Sequence, residues 1–344
     1  IRSATAEESL PGRRRTPNAT NATRAMIDGT RHTNRAAPGN HRNDESPRGA
    51  DPTSSSTPRR LCGGRTAFSR LARRDDRVVG RACHHLVVPV SDLRRRLLGN
   101  PVSRTVLSAW SWAVIVVLVI VWTFLVFVVW VVTAPFDRGR YWPGWLFRKV
   151  CVVHNWLNPL WRFRTSGVKI ADPRHPYVVV SNHESFVDML LISHLPWEMK
   201  WMSKEMFFRI PFLGWMMRMA GDIYLVRGKK ESIVKAVRDS HDRLEKRVSV
   251  MMFPEGTRTH DGSLGEFKDG AFRIAIDAQV PILPLVVCGS REALNKGDWR
   301  MNVTSAEVRV LEPIDTTGMT KDDIVPLRDR TRQLIADELA RMRG

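Results

Sequence analysis

Thirty-two consecutive residues, Thr105 to Phe136, carry no charge and include the run AVIVVLVIVWTFLVFVVWVV. As a helix this run would extend roughly 48 Å at about 1.5 Å per residue, well beyond a hydrocarbon core of about 30 Å. Segment 96–136 is therefore expected to enter a membrane, either as one tilted span or as a bent, re-entrant element. It lies too far along the chain for a secretory leader. Arg94, Arg95, Arg96 and Arg104 on one side are matched by Arg138, Arg140, Arg148 and Lys149 on the other. The positive-inside rule thus assigns no orientation.

The chain on the N-terminal side of this run cannot build a core. Residues 1–104 hold 21 arginines, no lysine and nine acids among Ser, Thr, Asn, Pro, Gly and Ala, and carry +12 of the net +19. So few large apolar side chains cannot offset the entropy of ordering, and residues 1–95 read as a disordered Arg-rich tail. The tail lacks aromatic interleaving, zinc-ligand spacing and a helix-turn-helix pattern, so no specific nucleic-acid binding is expected. A solvated tail, or one drawn to anionic headgroups, is the more economical reading. The chain starts at Ile1 instead of Met, and the tail carries little functional weight. Cys62, Cys83, Cys151 and Cys288 are scattered, which indicates neither a disulfide framework nor a zinc site. His84 and His85 beside Cys83 have no partners at metal-ligand spacing. No metal and no cofactor is expected.

Beyond the apolar run, residues 137–164 interleave Trp142, Trp145, Trp156 and Trp161 with bases and apolar residues. Indole rings and cationic side chains together suit the headgroup layer, which predicts a Trp-rich interfacial helix; a core helix of the following domain is the alternative. From 165 to 344 the pattern is α/β. Strands are predicted at 176–181, 199–203, 222–226, 248–253, 281–287 and 306–314, and helices at 232–247, 272–278 and 321–343. Alternation of this kind builds a sheet flanked by helices, with ligands in the loops after the strands.

Three such loops carry chemistry. NHESFVD, residues 182–188, follows the first strand and sets His183 five positions before Asp188. An imidazole oriented by a carboxylate is a general base, although that spacing alone also fits an ordinary strand end. GDIYLVR, residues 221–227, ends in Arg227. In FPEGTRT, residues 253–259, Gly256 lets backbone approach an anion while Thr257 and Arg258 supply a hydroxyl and a guanidinium for phosphate oxygens. Ser185 lies two residues from His183, but no GxSxG elbow is present, and residues two apart point in different directions.

In this order the blocks resemble the glycerolipid acyltransferase family (PlsC-like), typified by bacterial 1-acyl-sn-glycerol-3-phosphate acyltransferase. The resemblance spans roughly residues 140–320 and rests on His183 and Asp188 of the His-x4-Asp block, Gly221 to Arg227, Phe253 to Thr259, and Val280 to Pro284. It implies a glycerolipid acyltransferase-type mixed sheet flanked by helices, with an N-terminal hydrophobic membrane anchor. It further implies acyl transfer from an acyl-CoA or acyl carrier protein donor to lysophosphatidic acid at the bilayer. The catalytic domain would sit at the cytoplasmic face of the inner (plasma) membrane. By that likeness His183 is the base and Asp188 orients it; Arg227, Gly256, Thr257 and Arg258 hold the acceptor phosphate, Glu255 shapes the loop, and Lys204 adds charge. Phe207 to Met217 would line an acyl channel or touch lipid. Another lysolipid or glycerol 3-phosphate remains an alternative acceptor, and a lipid-binding scaffold the non-enzyme alternative. Tyr224, Thr259 and Asp269 depart from the family pattern and loosen the assignment of the acceptor.

Overall fold

The computed structural model describes residues 98–258, 262–295 and 297–344. The 1–95 tail, Cys62, Cys83, His84, His85 and Thr259 lie outside them.

Helix α1, Pro101–Thr133, starts where the Asn100 side chain accepts the Val102 N–H at 2.9 Å and a proline occupies the first position. Helix α2, Tyr141–Leu157, folds back along it. The indole N–H groups of Trp110 and Trp122 donate to the carbonyls of Leu157 and Leu146 at 3.2 and 2.7 Å. Ser108, Ser111, Thr123 and Val126 of α1 are buried, whereas Val116, Val117, Val121, Phe124 and Val128 remain exposed. Both ends of the α1 region touch the α/β domain. Arg104 pairs with Asp298 at 2.9 Å, and a side chain at Gly139 would meet Val248 at 2.9 Å.

The predicted interfacial helix is shorter than 137–164. It stops at Leu157 because Asn158 takes an extended conformation before Pro159, as a residue preceding proline prefers. Residues Trp161–Gly167 then form strand β1, which pairs in parallel with β7, Thr304–Val310. The alternation in WRFR, with Trp161 buried and Arg162 and Arg164 exposed, is the strand signal. Trp142 and Trp156 are exposed, while Tyr141, Phe147, Arg148 and His154 are buried.

The remaining strands are β2 Val178–Ser181, β3 Met199–Lys204, β4 Ile223–Leu225, β5 Ser249–Met252 and β6 Ile282–Cys288. The seven lie in the order β1-β7-β6-β2-β5-β3-β4, and every neighbouring pair is parallel except β6 with β7. This is the expected mixed sheet. Side chains alternate between its faces. Val178, Val180 and Val286 pack with Phe272, Ile276, Ile335 and Leu339 on one side, while Val179, Leu285 and Val287 meet Leu191, Ile192 and Trp197 on the other. The first side is covered by α6 Lys230–Glu245, α7 Gly270–Ala278 and α8 Ile324–Arg343. Helix α3, Asp188–Ile192, contributes to the second. Short helices α4 Glu205–Phe208 and α5 Leu213–Ala220 pack Phe208, Met216 and Met217 against Val126, Phe147 and Val150.

Candidate active site

Strands β6, β2, β5, β3 and β4 are consecutive and mutually parallel, so their carboxyl ends share one edge of the sheet. Along that edge stand Ser290 beyond β6, His183 and Asp188 beyond β2, Phe253 to Arg258 beyond β5, Lys204 at the end of β3, and Arg227 beyond β4. The Asn182 amide bridges two strands, donating to the Val287 carbonyl and accepting the Val287 N–H, each at 2.8 Å. That bridge fixes where the His183 turn leaves the sheet.

Asp188 is fully buried and is satisfied on both oxygens. Its Oδ2 accepts from His183 Nδ1 at 2.8 Å and from the N–H groups of Glu184 and Ser185 at 2.7 and 2.9 Å. The Ser290 hydroxyl donates to its Oδ1. A carboxylate held this way keeps the proton of a neutral imidazole on Nδ1 and leaves Nε2 to accept another. The imidazole also stacks on Phe253, with ring centroids 3.9 Å apart and planes inclined by 16°. The His183 side chain is 18% exposed, enough to be reached from solvent. Ser185 turns away from this chemistry, and its Oγ accepts the Val187 N–H at 3.3 Å.

Glu255 ties the second loop to the first. Its carboxylate accepts the His183 N–H at 2.8 Å and the Gly265 N–H at 3.1 Å. Burial pushes the Glu255 pKa up, and these two backbone donors oppose that shift. Gly256 has φ of +72°, a conformation that favours glycine. A side chain there would also come within 3.2 Å of Lys268 Nζ, which lies over the loop. Thr257, Arg258, Arg227 and Lys204 are exposed on this edge. Among the described residues, neither arginine forms a side-chain hydrogen bond or ion pair. The structure thus brings His183, Asp188 and Glu255 into direct contact, and places the four exposed residues on the same edge.

Reading the sequence missed Lys268, Ser290, Phe253 as a ring against His183, and Arg343. Lys268 had a local signal, a base next to Asp269 in FKDGAF. Ser290 and Arg343 had none, since they reach the site only through the sheet order and the docking of α8. Two departures from the family pattern point elsewhere. Asp269 pairs with Arg328 of α8 at 2.8 Å, and the Tyr224 ring packs edge-on to Phe208 with centroids 5.9 Å apart.

Residues 162–288 match the family model described as Acyltransferase. Human 1-acyl-sn-glycerol-3-phosphate acyltransferase alpha is 36% identical over 173 residues, covering 50% of this chain and 61% of the human protein. The Saccharomyces cerevisiae 1-acyl-sn-glycerol-3-phosphate acyltransferase is 30% identical over 170 residues, 48% of this chain and 56% of the yeast protein. The chain thus spans about three fifths of the length of these relatives. The crystal structure of the 1-acyl-sn-glycerophosphate (LPA) acyltransferase PlsC from Thermotoga maritima shares the fold, with a TM-score of 0.58 at 22% identity. That alignment covers 71% of this chain and 97% of the other.

Proposed function

We propose that this chain transfers a fatty acyl group from an acyl thioester, acyl-CoA or acyl carrier protein, to the sn-2 hydroxyl of 1-acylglycerol 3-phosphate. The product is phosphatidic acid, a step of phospholipid biosynthesis. The observation that carries this reading is the His183–Asp188 pair at 2.8 Å, whose Nδ1 contact leaves Nε2 as the base. His183 Nε2 removes the hydroxyl proton as that oxygen attacks the thioester carbonyl; the C–O bond forms, the C–S bond breaks and the thiolate leaves. No acyl-enzyme is needed, because holding both substrates in attack geometry makes the reaction effectively unimolecular.

Arg258 and Arg227 receive the acceptor phosphate, with the Gly256 backbone and Thr257 beside them and Lys204 contributing charge. Similarity to relatives named as acylating this acceptor supports the assignment. The acyl chain lies over the apolar surface next to the base, where the Phe186 ring is 6.1 Å from Phe207 and Met206 and Ile210 are exposed.

Contacts from both ends of the α1 region to the same α/β domain favour a re-entrant attachment over a crossing. An exposed apolar flank of α1 then enters one leaflet, and α2 follows it with Trp142 and Trp156 at the headgroup layer. We assign the catalytic domain, from β1 onward, to the cytoplasmic face, where soluble acyl thioesters are available, and leave residues 1–95 as an accessory tail.

Incubating purified membranes with labelled acyl donors and a panel of lysophosphatidic acid, glycerol 3-phosphate and lysophosphatidylcholine tests the reading. Transfer to the first acceptor is expected, whereas no transfer with any donor favours a lipid-binding scaffold. Arg258→Ala should raise the KM for lysophosphatidic acid by about 10- to 100-fold, the worth of a charge-assisted contact, and leave the donor KM within about threefold. An equal rise in both constants removes Arg258 from the acceptor site.

A further inference from the structure

The turn that carries His183 and the loop that carries Arg258 are joined by a residue far away in sequence. Arg343, in the last turn of α8, donates from one guanidinium nitrogen to Glu184 Oε1 at 2.7 Å and to the Gly262 carbonyl at 2.8 Å. Glu184 is adjacent to the base, and its side chain is only 5% exposed. Its N–H is one of the donors to Asp188 Oδ2, and its Oε2 faces the Ser290 hydroxyl at 3.5 Å, the hydroxyl that donates to Asp188 Oδ1. Gly262 lies between Glu255 and Gly265 of the other loop, four residues beyond Arg258. A buried carboxylate needs a partner, and here that partner is the group that also grips the phosphate-type loop. Burial raises the Glu184 pKa, and the Arg343 hydrogen bond is the main influence opposing it.

We propose that Arg343 is a positioning residue, acting through Glu184 and Gly262 to set the distance between the base and the cationic acceptor loop. The inference rests on the acyltransferase reading, in which that distance decides whether a phosphate held at Arg258 presents its hydroxyl to His183. Without Arg343, Glu184 loses its cation and withdraws from the Asp188 cradle, and Gly262 loses a tether. A displacement of about 1 Å in such a constellation is enough to cost one to two orders of magnitude in rate.

The full chain in membranes, as Arg343→Gln, Glu184→Gln and the double variant, tests this. Arg343→Gln should lower kcat about tenfold and raise the KM for lysophosphatidic acid about tenfold, with the acyl-donor KM within twofold. Adding Glu184→Gln removes the carboxylate left without its cation, so the double variant should recover kcat to within threefold while the acceptor KM stays raised. A residue that merely docks α8 would not show this split or this rescue. Amide hydrogen exchange, which does not depend on turnover, should quicken together at 183–188 and 262–265 in Arg343→Gln. Wild-type kcat and acceptor KM in Arg343→Gln, or unchanged exchange in both segments, overturn the proposal. An inactive wild-type chain overturns the acyltransferase reading instead, and the exchange experiment still decides whether Arg343 links the two segments.

Discussion

His183→Ala is expected to lower kcat for acyl transfer by about 10²- to 10⁴-fold, the usual worth of a positioned general base. The imidazole contributes little to folding that alanine would forfeit. Its ring is partly exposed, its main side-chain partner is Asp188, and Asp188 keeps three other donors in Ser290, Glu184 and Ser185. Thermal unfolding in detergent should therefore shift only slightly while transfer of labelled acyl groups disappears. Ser185→Ala is the control. Its hydroxyl accepts only the Val187 N–H among described partners, so most activity should persist. Loss of transfer in Ser185→Ala with retention in His183→Ala would reverse the assignment of the base.

The second large effect lies away from the reacting atoms. Arg148 of α2, Glu198, Lys200 of β3 and Asp222 form a buried cluster of charges. Lys200 Nζ donates to Glu198 Oε1 at 2.9 Å and to the Arg140 carbonyl at 2.6 Å, and both side chains are wholly inaccessible. Arg148 pairs with Asp222 Oδ1, which also accepts the Trp201 N–H at 3.0 Å, and its Nε lies 3.5 Å from Glu198 Oε2. Burial pushes the Lys200 pKa down and that of Glu198 up, each against the pull of its neighbour.

Lys200→Met leaves Glu198 with a single cation, Arg148, whose Nε stands 3.5 Å from Oε2. Removing one member of such a pair destabilises by about 3–5 kcal/mol, a large share of the 5–15 kcal/mol typical of a domain. Urea unfolding in detergent should register that loss, and Glu198→Gln combined with Lys200→Met should recover much of it, because no buried charge is then stranded. A loss under about 1 kcal/mol for Lys200→Met means that the cluster does not hold α2 to the sheet. Gly144 belongs to the same packing, since a side chain there would come within 2.1 Å of Glu198 Oε1.

Much of the α/β domain was legible because period-2 runs such as PYVVVS and period-3.6 stretches such as 232–247 report local geometry directly. Strand β1 was not. Trp161 and Phe163 alternate with arginines, but they follow a Trp-rich helix, and the strand's partner lies more than 140 residues away. No local pattern marks Lys200 and Glu198 as buried. Only burial under α2 makes them a structural necessity.

The amino-acid sequence alone determined the motif-bearing turns, the placing of His183 and Asp188 on one of them, and the presence of a helix long and apolar enough for a membrane. Those properties depend on residue type and short spacing, which backbone periodicity converts into position. Tertiary structure decided the rest: which strand ends share an edge, that both ends of the α1 region return to the same domain, and that Ser290 reaches Asp188 and Arg343 reaches Glu184. Such contacts join residues 81 to 159 positions apart. They depend on sheet order and helix docking, which no local pattern encodes.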